Sequence, residues 1–158
     1  MRQQAKISEI YQTLAAVTDP EIPVLTILDL GIVRDVRIHD DEIEVVITPT
    51  YSGCPAMDAI ATDIRFKLME TGHKKVSITT VLHPAWTTDW MTTEGKKKLE
   101  DYGITPPDRL LKQGEEEIRC PQCHSVNTKI ISPFGSTACK ELCQCNDCLE
   151  FFDHFKCH

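Results

Sequence analysis

Residues Cys120 to His158 read CPQCHSVNTKIISPFGSTACKELCQCNDCLEFFDHFKCH, and seven of the chain's eight cysteines fall within them. Two CxxC pairs stand out, Cys120-Pro-Gln-Cys123 and Cys145-Asn-Asp-Cys148, with 21 residues between them. Each pair can set two thiolates on one metal through a tight turn, and two pairs complete the tetrahedral shell that Zn(II) takes in closed structural sites. Four cysteinates suit Fe as well as Zn, so spacing does not choose the metal. Cys139, Cys143 and Cys157, with His124, His154 and His158, lie in the same stretch and compete as ligands. That four groups bind a metal is therefore firmer than which four. A module this short buries too little apolar surface to fold alone, and metal binding supplies its stability, about 10–16 kcal/mol in comparable zinc peptides.

The whole chain bounds this reading. Its 158 residues, 41% hydrophobic and 26% charged, fit one ordinary domain with a small annexe. No apolar run reaches the ~20 residues that span a bilayer, so no membrane role is expected. The opening MRQQAKISEI lacks the basic-then-apolar order of a secretory signal. The expectation is a cytoplasmic chain, where thiols stay reduced and clustered cysteines mean metal or thiol chemistry rather than disulfides. A net charge of -7, with seven Asp/Glu against four Lys/Arg from Glu115 to His158, opposes binding to phosphate backbones. No nucleic-acid partner is expected. Thiol-disulfide exchange by a CxxC pair would need a thioredoxin-like context, which the chain lacks.

Upstream, the periodicity changes character several times. Ile7, Ile10, Tyr11 and Leu14 recur at helical spacing within residues 7–17, before Asp19-Pro20 closes the helix. DPEIPVLTILDLGIV then predicts an irregular loop with one helical turn, ending at Gly31. Ile32 to Ile38 and Glu42 to Thr48 flank His39-Asp40-Asp41 as a hairpin with one face on a core. A helix begins at Pro55 with a buried stripe of Met57, Ile60, Ile64 and Leu68, and ends at Gly72. Lys75 to Leu82 reads as a third strand, and a short helix starts near Thr92 or Thr93. The fold class expected is α+β, a small mixed sheet with packed helices, followed by a C-terminal zinc ribbon. The expected boundaries are 1–104 for the α+β domain, 105–119 for a linker and 120–158 for the metal module.

Cys54 is the one cysteine outside the terminal module, and Gly53-Cys54-Pro55 places it at a helix N-terminus, where unpaired amides favour thiolate. Read alone, a single cysteine packs as a small apolar residue. Thr48, Thr50, Tyr51 and Ser52 supply hydroxyls nearby. Asp19, Glu21 and Asp29 sit in a proline-stiffened loop that could line a polar site. The stretches around Trp86 and Trp90 offer either a ligand wall or core. There is no Ser-His-Asp set, no glycine-rich phosphate loop and no carboxylate pair, so nothing requires an enzyme.

Taken together, DPEIPVLTILDLGIV, TPTYSGCP, WTTDWMTTEGKKKLEDYGITPP and the CPQC, FGSTACK and CNDC series resemble PaaD. This is the family of small accessory subunits encoded with multicomponent phenylacetyl-CoA epoxidases. The first hundred residues are also similar to the SufT-like metal-sulfur cluster biosynthesis domains. The resemblance implies a non-catalytic factor acting in maturation of the epoxidase, with its iron-sulfur reductase or di-iron oxygenase component as client. It implies a structural Zn held by Cys120, Cys123, Cys145 and Cys148, and a transient iron-sulfur cluster. The family's DPE falls on Asp19, Pro20 and Glu21, and its GCP on Gly53, Cys54 and Pro55, which sets a cluster- or client-binding role for Cys54 beside the packing one. Thr48 and Asp29 join Cys54, Asp19 and Glu21 as candidates for that site. Cys143 stands where relatives more often carry an aromatic residue, and Cys139 lies inside FGSTACK, so both are extra thiols. A homo-oligomer stays open. The alternative function is electron transfer through a rubredoxin-like four-cysteine iron centre.

Overall fold

The computed structural model describes residues 1–107 and 117–156, and its contacts divide the chain into two compact units, Met1–Thr92 and Thr93–His158. In the first unit, α1 spans Arg2–Leu14. It starts earlier than the apolar periodicity, because Arg2, Gln3, Gln4, Ala5 and Lys6 are good helix formers that need no buried face. It also stops earlier: Ala16 and Val17 donate to Thr13 and Leu14 in tighter turns, and Val17 turns into the core. The strands β1 (Val33–His39) and β2 (Glu42–Ile47) form the expected antiparallel hairpin. Helix α2 (Ala56–Glu70) then crosses over to β3 (Lys75–Thr80), which pairs parallel to β2. The order β1-β2-β3 is thus a mixed sheet with β2 central.

Burial follows the pattern that the sequence carries. Ile60, Ile64 and Leu68 of α2 are fully buried, as are Val45 and Ile47 of β2 and Leu14 of α1. Each such side chain contributes about 1.5–3 kcal/mol. Val46, on the opposite face of β2, is buried as well, so the central strand is covered on both sides at that point and not on one face alone.

Gly31 closes the irregular loop at φ +70, and a Cβ there would meet the Trp90 carbonyl oxygen and lie 2.8 Å from the Trp90 Cβ. Trp86 donates its indole N–H to the Leu30 carbonyl at 2.7 Å, and the Arg34 guanidinium stacks 3.6 Å from the Trp90 ring. The tryptophans are therefore the clasp of this loop. Gly31→Ala is expected to lower stability by more than ~1 kcal/mol, since both the backbone conformation and the space are lost. A thermal melt measures it, and an unchanged midpoint would remove this role for the glycine.

Among its described residues the second unit contains α3 (Thr93–Tyr102) and four strands, β4 (Ile104–Thr105), β5 (Thr128–Ser132), β6 (Lys140–Cys145) and β7 (Phe151–Phe155), in the order β4-β7-β6-β5. Strand β4 adds parallel to β7, with Ile104 opposite Asp153 and Thr105 opposite His154. This pairing draws α3 and β4 into the unit that carries the cysteines, so the division falls after Thr92 whereas the sequence reading carries the first domain to 104. Of the expected linker, Thr105 lies in β4 and Ile118 is buried in the second unit, while 108–116 lie outside the described residues. Among the described residues no helix is long and apolar enough to cross a membrane.

Candidate functional site

Two turns hold the four CxxC cysteines. The first follows the chain into β5, where the His124 N–H donates to the Cys120 carbonyl at 2.9 Å and the Cys120 N–H to the Ser125 carbonyl at 2.9 Å. The second links β6 to β7, where the Leu149 N–H donates to the Cys145 carbonyl at 3.1 Å and the Cys145 N–H to the Glu150 carbonyl at 2.9 Å. His124 and Leu149 take positive φ values of 62 and 66, which complete matching knuckles. The sulfurs of Cys120, Cys123, Cys145 and Cys148 all lie within 4.8 Å of one another. Cys120 is 3.6 Å from Cys148 and Cys123 is 3.5 Å from Cys145, sulfur to sulfur.

These separations decide what the four can be. A disulfide would bring two sulfurs to about 2.05 Å, whereas tetrahedral Zn–S bonds of about 2.3 Å place sulfurs about 3.8 Å apart. The observed set brackets the second value, so the residues fit a four-coordinate metal. The electrostatics agree. The Cys148 N–H hydrogen bond, with help from the Asp147 N–H, holds the Cys145 thiol down at about 7 against partial desolvation. The Glu150 amide lowers Cys148, but desolvation and the sulfurs of Cys120, Cys123 and Cys145 outweigh it and push it up to about 12. At Cys123 the Ser125 amide lowers the thiol, and desolvation with the Cys145 and Cys120 sulfurs leaves it raised. Thiols crowded in this way resist holding several negative charges together until a cation joins them.

The remaining terminal candidates lie elsewhere. Cys143 is fully buried in a small core with Ile118, Cys120, Cys145 and Phe152, and burial, assisted by the Glu141 and Asp153 charges, pushes its thiol up to about 12. It packs behind the sulfur cluster as a neutral thiol. Cys139 is buried before β6, its sulfur 3.0 Å from the Thr137 hydroxyl. His154 is buried with its Nδ1 2.7 Å from Glu141 Oε1, which takes that nitrogen away from any metal role. Cys157 and His158 lie outside the described residues.

The upstream candidates come from three stretches of the first unit's sequence, around Asp19 to Asp29, Thr48 and Cys54. Asp19 accepts from the N–H groups of Glu21 at 2.7 Å and Ile22 at 2.9 Å, closing the turn on which Glu21 sits half-buried. Asp29 and Thr26 form a reciprocal pair: Asp29 Oδ2 accepts from the Thr26 N–H and Thr26 Oγ1 from the Asp29 N–H, both at 3.0 Å. That is a capping box around the one helical turn of the loop, and Thr92 Oγ1 adds a bond of 3.3 Å to Asp29 Oδ1. Both aspartates thus carry structural bonds in their own loop. Thr48 is buried just past β2, and among the described residues its hydroxyl has no hydrogen-bond partner. Cys54 is half-buried in the turn before α2, its carbonyl accepting from the Met57 N–H at 3.3 Å. Sequence reasoning missed the T-x-x-D signal of the capping box, which Thr26 to Asp29 displays openly. It also passed over Ser125, Asn127, Asn146 and Asp147 around the knuckles, which no spacing rule singles out.

Residues 104–156 match the family model described as PaaD zinc beta ribbon domain, and residues 7–79 match that described as iron-sulfur cluster assembly protein. Over 154 residues the chain is 47% identical to a protein of Escherichia coli strain K12 named as a putative 1,2-phenylacetyl-CoA epoxidase subunit, an alignment that covers 96% of this chain and 93% of that protein. The chain belongs to the PaaD family. The PaaD match to a zinc ribbon falls on the four clustered sulfurs. Over 93 residues, 58% of the chain and 88% of the relative, it is also 38% identical to an Fe-S protein maturation auxiliary factor of Porphyromonas gingivalis W83. Among solved structures, a domain of unknown function from Bacillus anthracis superposes with a TM-score of 0.57 at 28% identity, covering 61% of this chain and 92% of that one. The α+β part of this PaaD-family chain is therefore an arrangement found alone in other proteins, to which the ribbon is joined.

Proposed function

We propose that this PaaD-family chain is an accessory maturation factor for a multicomponent phenylacetyl-CoA epoxidase, with no catalytic turnover of its own. It assists iron-sulfur cluster or iron-centre assembly on an epoxidase component, in the cytoplasm. One observation carries the reading: an iron-sulfur cluster assembly domain and a zinc ribbon stand in one chain that aligns nearly end to end with a relative named as an epoxidase subunit. In this reading Cys120, Cys123, Cys145 and Cys148 hold a structural Zn, and the ribbon is a rigid docking surface for the client. Cys54 meets the cluster or the client, near Thr48 in sequence. Asp19 and Asp29 shape the adjoining loop that presents Glu21.

The test is to express the iron-sulfur reductase and the di-iron oxygenase components with and without this chain, and to measure iron and sulfide in each. Loading of one component is expected to fall when the chain is left out, and that component is expected to co-purify with it. Equal loading of both in either condition would end the maturation reading. Metal analysis of the chain itself is expected to give one Zn per chain. A red protein with a reversible one-electron couple would instead make the ribbon a rubredoxin-like electron-transfer centre.

A further inference from the structure

Residues that bind no metal tie the two knuckles to each other. The Asp147 carboxylate, inside the Cys145-Asn-Asp-Cys148 turn, accepts from the Ser125 hydroxyl through one oxygen and from the Asn127 side-chain N–H, at 2.9 Å, through the other. Ser125 Oγ also accepts from the Asn127 backbone N–H at 3.0 Å. Asn146 closes the set by donating to Asn127 twice, from its side chain to Oδ1 at 3.0 Å and from its backbone to the carbonyl at 2.9 Å. The residues just past Cys123 are thereby joined to those between Cys145 and Cys148. Within the second knuckle the Cys148 N–H donates to Cys145 Sγ at 3.5 Å, so the turn that carries Asp147 also serves a ligand sulfur. The side-chain bond between Ser125 and Asp147 therefore joins the turn of one ligand pair to the turn of the other.

We infer that Asp147, with Ser125 and Asn127, is a positioning latch that holds the two knuckles in register and makes the ribbon's metal a resident rather than a cargo. The inference rests on the reading that the four cysteines hold a metal. An ion held by both knuckles leaves only when ligands from the two turns part, and parting the turns here would break the bonds across the knuckles, two of them to a carboxylate. Outer-shell partners of this kind set metal retention on the order of 10–100-fold. A factor that handles iron or clusters for a client while keeping its own metal fixed needs its exchangeable site elsewhere, and the first unit is where the unlatched Cys54 lies.

The experiment loads the full chain with Zn(II), or with Co(II) as a spectroscopic substitute, and follows transfer to an excess of a chelating dye. Asp147→Ala is expected to bind one metal per chain and to keep the Co(II) bands of a tetrahedral four-sulfur site, yet to release its metal on the order of 10-fold faster or more. Asp147→Asn keeps one acceptor oxygen and is expected to fall between the two. Asp153→Ala serves as the control for stability alone, because Asp153 bonds Ser136 at 2.8 Å and lies 3.9 Å from Lys140 in the same unit without joining the latch. A wild-type chain that holds no metal overturns the metal reading and the latch together. A metal-holding wild type whose Asp147→Ala form releases at the same rate, or no faster than Asp153→Ala, overturns the latch alone.

Discussion

Cys120→Ser is expected to strip the metal from the ribbon and to unfold its strands, while the unit Met1–Thr92 keeps its cooperative melt. Cys120 is fully buried, and its neighbours Ile118, Cys143, Cys145 and Phe152 make up most of the small apolar core behind the sulfurs. Among the described residues the unit adds to this cluster only a few buried apolar side chains, Leu99, Ile104, Cys139 and Phe155, and so small a core does not offset the conformational entropy of the segment, so folding leans on metal binding, about 10–16 kcal/mol in zinc peptides of similar size. Serine offers a hard hydroxyl in place of a thiolate and leaves three ligands, one of them the solvent-exposed Cys123. Metal content and a two-step thermal melt measure the outcome. A chelator applied to the wild type should remove the same transition. Cys143→Ser supplies the contrast, since Cys143 is buried in the same core but lies outside the four-sulfur cluster. It should keep one metal per chain and lose only about 1–3 kcal/mol for burying a hydroxyl. Were Cys120→Ser to hold full metal and melt normally, the ligand set would be wrong.

Why the first unit is legible and the second only in part follows from where the information sits. Ile43, Val45 and Ile47 alternate, and Ile60, Ile64 and Leu68 repeat at helical spacing, so local pattern names both elements and the faces they bury. The CxxC pairs are legible for a different reason: ligand geometry demands that spacing. Strand β4 is two residues long, and what makes it a strand is pairing with β7 nearly fifty positions on, a long-range term absent from any local window. Strands β5 to β7 lose their alternation because β6 spends its inward positions on Cys143 and Cys145 and β7 carries the buried His154. The tryptophans resist reading as well, since Trp90 packs where Gly31 leaves room, and only the fold brings those two positions together. Asp19 and Asp29 read as polar site residues for a sound reason, being carboxylates in a stiff loop. Both also accept backbone N–H bonds that close turns, a structural role that the residue pattern alone does not reveal.

Cys54→Ser is expected to leave both units folded and the ribbon's metal in place, while the iron-sulfur or iron content of the client falls to the level seen when the chain is absent. The substitution separates chemistry from structure because the structural bonds of Cys54 are carried by its backbone: its N–H donates to the Tyr51 carbonyl at 3.2 Å, and its carbonyl accepts from Met57. Its half-buried side chain leaves serine space without a new cavity, so the stability change should stay within about 1 kcal/mol. What serine cannot supply is a thiolate, the form that binds iron or a cluster. The comparison with Cys120→Ser then assigns the two defects to different units. If the maturation reading holds, Cys54→Ser lowers client loading with client association intact, because the ribbon still docks, whereas Cys120→Ser lowers association and loading together. Full client loading by Cys54→Ser would make Cys54 a packing residue and move the search for the exchangeable site to other groups of the first unit, beginning with Glu21 on the Asp19 turn.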